Sequence, residues 1–261
     1  MVKKYFKNIY AFLIYLFLYL PILLLIIFSF NDSRYSGKWN GFTLDWYTQL
    51  FADSSILESL YTTLIVAVIA SVVSTIIGTI SAIALHNMKA KAKSLVTSLS
   101  YIPMINPDIV IGISLLSLFS ILSVKLGYVT LILAHITFNI PYVIFAVLPK
   151  LQQLNPNIEE AAMDLGATPY QAFFKVILPE LMPGIVTGAL LAFTLSLDDF
   201  IVSFFTTGSG VSTLSIKVYS MTKRGVSPKI NALSSLMFIA VVTLMLIFQL
   251  KNAKNTQKQD Y

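Results

Sequence analysis

Residues 9–30 are 22 consecutive positions without one charged side chain. As a helix rising 1.5 Å per residue, such a run covers the ~30 Å hydrocarbon layer of a bilayer. Lipid offers backbone amides and carbonyls no partner, so they must be satisfied within the segment, and a uniformly apolar run does this as a helix. It exceeds the apolar core of a secretory leader and shows no small-residue cleavage site, so it reads as a retained first span. Composition extends the conclusion to the whole chain. It is 56% hydrophobic and 11% charged, where soluble domains carry about 25% charged residues. The sequence is that of an all-α, polytopic membrane protein.

Five more apolar stretches follow, near residues 60–85, 100–123, 128–148, 182–205 and 232–250, making six expected spans. Lys3, Lys4 and Lys7 place the N-terminus inside. Lys89, Lys91 and Lys93 follow the second span, and Lys251, Lys254 and Lys258 the sixth. Six spans put all three groups, and so both termini, on the cytoplasmic side of the cell membrane. Lys217, Lys223, Arg224 and Lys229 in the last outer loop run against this bias. The basic residues are scattered, so the net charge of +6 does not indicate nucleic-acid binding. The absence of cysteine excludes disulfides, iron–sulfur clusters, zinc thiolates and cysteine nucleophiles. His86 and His135 are too few for a histidine metal cage and read as interfacial or helix-contact residues. No cofactor is expected.

Two connections are long. In residues 31–59, expected outside, Thr43 is placed to cap a short helix with Leu44, Tyr47 and Phe51 on one apolar face. Residues 149–181, expected inside, contain NPNIEEAAMDLGATPYQAFFKVILPELMP. Asn155 and Pro156 suit a helix start. Gly166 suits its end. Thr168 and Pro169 repeat the start, and Pro179 is expected to stop a second helix near Leu178. The loop is thus a helical hairpin that never crosses the membrane. Read from the residues alone, it is equally an amphipathic hairpin lying on the inner leaflet. Ala161 and Ala162 leave a shallow surface for close approach by another protein. Glu159 and Glu160 favour the positive end of the first helix.

Glu160-Ala161-Ala162, Gly166 and Val176 to Pro179 resemble the EAA motif of type I ABC importer permeases, with Val176 where that family usually has isoleucine. The resemblance implies that residues 1–261 are one transmembrane permease domain, with 60–250 its core and 155–179 the coupling loop. It also implies that Glu160, Ala161, Ala162 and Gly166 form the surface that docks on a cytoplasmic ATPase. The stretches FNDSRYSGKWNGFTLDWYTQLF, INPDIVIGISLL, LSLDDFIVSF and IKVYSMTKRGVSPKINAL are similar to the spermidine/putrescine branch of that family. Four kinds of partner are then expected: an ATPase dimer, a second permease subunit, an extracytoplasmic binding protein with its polyamine cargo, and membrane lipid.

The acids within the apolar runs fit such a cargo. Asp108, Asp198 and Asp199 stand where a charge is costly, and intramembrane acids usually face a bundle interior or a water-filled path. Counted along straight helices, Asp108 and the pair differ in depth by about 12 Å. Asp199 shares its helical stripe with Ala192, Ser196 and Ser203, which on periodicity favours it for the path. The family resemblance favours Asp198, with Asp108 and Trp46, and that reading is adopted. Trp46, Tyr47, Tyr142 and Phe200 are candidate rings over which an ammonium group could sit. Each residue also has a plainer role open to it: Trp46 as an interfacial anchor, Asp108 as the start of a helix resuming after Pro107, and either paired acid as a structural hydrogen-bonder or ion-pair partner. Pro103, Pro107 and Pro141 interrupt span hydrogen bonding and permit bending.

An intramembrane aspartyl protease needs two acids at one depth and a GxGD signature, which is missing. A self-contained secondary transporter leaves the large loop without a purpose. A type I permease for another small cationic solute or a metal remains the nearest alternative. The chain has no GxxxxGK[ST] phosphate loop, so it is not itself an ATPase.

Overall fold

The computed structural model describes residues 2–33, 38–223 and 228–256; Arg224 and Lys258 of the charge argument lie outside them. The described chain is helical, with one isolated antiparallel bridge between Asn31 and Phe42. It divides into two units, Met1–Leu57 with Val218–Tyr261, and Glu58–Lys217.

In the first unit, helix α1 (Val2–Phe28) carries the uninterrupted apolar run. The connection after it folds back on Asn31. The side-chain amide of Asn31 donates to the Lys38 carbonyl (2.8 Å), and its Oδ1 accepts from the Asn40 amide (2.9 Å). Helix α2 (Asp45–Phe51) buries Trp46 and Leu50, an i, i+4 pair. The expected face fails: Leu44 and Phe51 are exposed, because the Trp46 indole N–H donates to the Asn31 carbonyl (2.8 Å) and turns that side inward. Thr43 does not cap the helix in the expected way. Its Oγ1 accepts from the Asp45 amide two residues on (3.1 Å). Lys229, one of the lysines contrary to the charge bias, pairs with Asp53 at 3.2 Å.

The second unit holds most of the apolar helices. Helix α3 (Ser54–Asn87), which begins in the first unit, exceeds its expected span at both ends. The expected third span is two helices, α4 (Ala90–Ile105) and α5 (Asp108–Ile121), bent by 104° at Asn106-Pro107. Pro107 has no amide to donate and holds φ near −57°, so α4 ends there and α5 restarts at Asp108. Helix α6 (Tyr128–Gln153) contains Pro141 without breaking. Helices α7 (Ile158–Asp164) and α8 (Pro169–Ala172) form the loop. α8 runs through a π-helical turn (Phe173–Ile177) into α9 (Leu178–Asp198). The chain breaks again at Asp199 and continues as α10 (Ile201–Thr206). α11 (Leu214–Lys223) and α12 (Pro228–Thr256) complete the chain. Among the described residues four helices are long and apolar enough to cross a membrane, and the α4–α5 pair passes the same test only when its two bent halves count together. The apolar stretch Pro228–Thr243 of α12 is shorter, so the expected sixth span is present only as that shorter piece among the described residues.

The core of this unit is where α6 meets α3 and α9: Val143, Ile144, Val147, Leu148 and Leu151 pack on Ala82, Leu85, Leu181 and Ala192. α9 presents Gly184, Gly188, Ala192 and Ser196 at four-residue intervals, all buried. Small residues so spaced let helix backbones approach closely in lipid. A Cβ on Gly188 would lie 3.2 Å from the Val143 Cα.

Candidate functional site

The loop is held largely by the short-range hydrogen bonds that its caps and turns predict. α7 begins at Ile158 with Asn157 as its N-cap, later than Asn155 and Pro156 suggest; Asn155 shapes the turn ahead of it, its Oδ1 accepting from the Asn157 amide (3.0 Å). At the far end Gly166 adopts φ +90°; its amide donates to the Met163 carbonyl and that of Ala167 to the Ala162 carbonyl. This 5→2 and 6→1 pair is a Schellman stop, which needs a left-handed residue. Thr168 and Gln171 then cap α8 reciprocally, each side chain accepting from the other's amide at 3.3 and 3.1 Å. Pro179 does not stop the second helix. The wide turn Phe173–Ile177, closed by the Leu178 amide on the Phe173 carbonyl, lies just ahead of it. There the ring would otherwise crowd the carbonyl of Lys175. The segment Pro169–Asp198 is therefore one helix of 30 residues. Glu160, Ala161 and Gly166 are exposed, Ala162 is half-buried, and Leu165 is 91% exposed.

Replacing Gly166 with valine forces a branched side chain into the left-handed region at roughly 1–2 kcal/mol. The expected result is several-fold faster proteolytic cleavage between α7 and α8, timed on the assembled protein. An unchanged rate would show that the stop does not hold the turn.

The second cluster lies at the two breaks. Asp108 opens α5 and is exposed. Gly112, one turn later, faces the Ile201 carbonyl and the Phe205 ring, to which a Cβ would come within 3.5 and 2.8 Å. The early turns of α5 and α10 thus lie side by side, and the depth difference expected from straight helices does not apply. Asp198 is the last residue of α9 and is exposed. Asp199 is turned inward: Oδ1 accepts from the Val202 amide (3.2 Å) and Oδ2 from the Ser203 amide (2.7 Å). These are free donors at the start of α10, which a carboxylate satisfies well. Asp199 Oδ2 also lies 3.6 Å from His135 Nε2. Tyr142 borders the apolar cluster of Phe138, Ala134 and Val202, and the Phe200 ring lies tilted against that of Phe204, centroids 5.7 Å apart.

Trp46 and Tyr47 belong to the other unit. Trp46 is buried, its N–H engaged by Asn31, and the Tyr47 hydroxyl shares a 2.7 Å hydrogen bond with Ser29. No group of three or more metal-ligating side chains occurs among the described residues.

The helical stripe that Asp199 would share with Ala192, Ser196 and Ser203 does not run through one unbroken helix, since α9 ends at Asp198 and α10 begins at Ile201. His135, expected as an interfacial or helix-contact residue, is a helix contact: it is fully buried, with Nε2 3.0 Å from Ser203 Oγ. Asn139, one turn on, donates to Ser196 Oγ at 2.8 Å. The sequence signal available for this polar seam was Ser196 and Ser203 in an apolar run, facing polar residues of α6 four apart.

The chain is similar to known proteins in sequence and in fold. The family model described as binding-protein-dependent transport system inner membrane component matches residues 74–253. The chain is 38% identical over 255 residues to the spermidine/putrescine transport system permease protein PotC of Haemophilus influenzae, covering 98% of this chain and 99% of the relative. It is 39% identical over 232 residues to the putrescine transport system permease protein PotI of Escherichia coli, covering 86% and 83%. Among solved structures, a chain of a bacterial ABC transporter that imports the acidic polysaccharide alginate matches at TM-score 0.73 and 16% identity, over 95% of this chain and 97% of that one.

Proposed function

Because the chain belongs to the family of inner membrane components of binding-protein-dependent transport systems, we propose that it forms half of the path by which an ATP-driven importer takes up spermidine or putrescine. Its relatives' names supply the cargo class. The observation carrying the site is that two apolar spans are interrupted side by side, each with an exposed aspartate at the interruption, Asp108 and Asp198. Broken spans lining a cavity are where transporters place their ligand groups. Two carboxylates suit a linear cargo whose ammonium groups are separated by methylene chains, with Tyr142 and Phe200 as nearby rings for the cationic heads. Asp199 holds the break itself. Trp46 and Tyr47 organise the outer connection. The chain lies in the inner membrane with both termini cytoplasmic. Its partners are a second permease subunit, an ATPase dimer under α7, and a binding protein that delivers cargo from outside.

The test is uptake of labelled spermidine and putrescine by cells with and without this chain, with unlabelled butylamine as competitor. Uptake should depend on the chain, and the monoamine should compete poorly. Equal uptake without the chain would remove the cargo assignment.

Coupling has its own test. The exposed face around Glu160, Ala161 and Ala162 is shallow enough to enter a cleft, and a large ring there blocks it. Ala161→Trp should lower uptake about 5- to 150-fold, an overpacking penalty of ~1–3 kcal/mol at the docking surface. The ATPase should co-purify in reduced amount. Unchanged uptake and co-purification would show that α7 is not the docking element.

A further inference from the structure

We propose that His135 is a positioning residue for the cargo path: from α6 it fixes the break between α9 and α10, and so sets the direction of Asp198. The inference rests on the reading of Asp198 as a cargo contact.

His135 is fully buried, and a buried imidazole needs hydrogen-bond partners. Both partners of its Nε2 belong to the break: Ser203 Oγ at 3.0 Å and Asp199 Oδ2 at 3.6 Å. Nδ1 has no protein partner, so the ring's polar contacts in the protein lie on that one side. Asp199 in turn holds the amides of Val202 and Ser203. It leaves the helix with ψ 124°, the dihedral that ends α9. Asp198 is its immediate neighbour and the last residue of α9, so its direction follows from where the break falls. Two further contacts bracket the histidine along the same seam: Thr130 Oγ1 donates to the Thr206 carbonyl (2.8 Å), and Asn139 to Ser196 (2.8 Å). The break is thus tied at three levels to α6, whose other end lies against Gly184 and Gly188 of α9. His135 is the middle tie, and the one that reaches the acid pair.

The full chain lacks cysteine, so Asp198→Cys gives it a single thiol. Its rate of labelling by 2-aminoethyl methanethiosulfonate in membranes holding the full transporter reports the direction of position 198. His135→Ala should change that rate at least ~5-fold and, with Asp198 present, lower spermidine uptake ~10-fold, in line with loss of a buried hydrogen-bonded contact. His135→Gln, whose amide nitrogen reaches the Nε2 position, should retain both. In an Asp198→Asn background, His135→Ala should cost no further uptake. The inference is overturned if labelling is unchanged, or if His135→Ala lowers uptake by the same factor in both backgrounds. If His135→Ala fails to assemble, His135→Gln is compared with the shorter His135→Asn, and equal labelling of the two overturns it. If Asp198→Asn alone transports normally, the cargo reading fails, while labelling still decides the role of His135.

Discussion

Asp198→Asn is expected to reduce polyamine uptake about 10–100-fold, the equivalent of one charge-assisted contact of ~1.5–3 kcal/mol, and to leave the amount of assembled transporter unchanged. The side chain is exposed at the end of α9. Asparagine keeps its shape and removes only the charge. Asp199→Asn should behave in the opposite sense. Asp199 accepts two amides at the start of α10 with both oxygens, and its side chain is 9% exposed. An asparagine has one acceptor oxygen, so one amide loses its partner and the second side-chain position presents a donor to a donor. Yield and thermal stability should fall. Uptake per assembled complex should fall less than for Asp198→Asn. The two quantities, initial uptake rate and assembled complex, are measured on the same membranes. If Asp198→Asn lowers yield and Asp199→Asn lowers only uptake, the two roles are reversed and the path assignment is wrong.

Gly78→Leu should prevent assembly altogether. A Cβ at Gly78 would stand 2.6 Å from the Val143 Cβ and 2.7 Å from its Cγ1, with the Ile140 carbonyl at 3.2 Å. Valine is stiff at χ1 in a helix and cannot swing away. Both residues sit in the interiors of long helices, α3 and α6, so relief requires the helices to part. Overpacking a tight interior costs typically 1–3 kcal/mol and more when the backbone must move, and in lipid no hydrophobic force between helices compensates. Gly127, with nothing within 4 Å and extended backbone, serves as control: Gly127→Ala should assemble normally. Gly78→Ala should be intermediate and should be improved by adding Val143→Gly. Fluorescence-detected size exclusion reads all four variants. Normal assembly of Gly78→Leu would mean that α3 and α6 are not in this register.

The contrast between the loop and the acid pair shows what this sequence discloses. Asn155, Gly166 and Thr168 announce turns and caps through hydrogen bonds that span two to five residues, so their roles follow from neighbours in the chain. The apolar runs disclose helices for the same reason. Pro179 misleads because one widened turn absorbs the lost hydrogen bond, and nothing local distinguishes that outcome from a stop. The break after Asp198 has no proline or glycine to mark it. It exists because Asp199 caps the next helix and His135, 64 positions earlier, supports it, a relation that only packing creates. The stripe Gly184, Gly188, Ala192, Ser196 was present in the letters, yet a four-residue interval of small residues names no partner. The structure supplies Val143. The straight-helix depth count failed because it carried a local regularity through two interruptions.

The uninterrupted helix from Pro169 to Asp198 has a mechanical consequence. Thirty residues make a rod about 45 Å long, with the exposed hairpin at one end and the acid at the other. Pivoting such a rod by ~5° about its base sweeps its tip through about 4 Å, comparable with the reach of a salt contact. A small rocking of the hairpin is therefore geared up, without any flexing of the intervening turns, into a stroke large enough to present a carboxylate to an ammonium group or withdraw it.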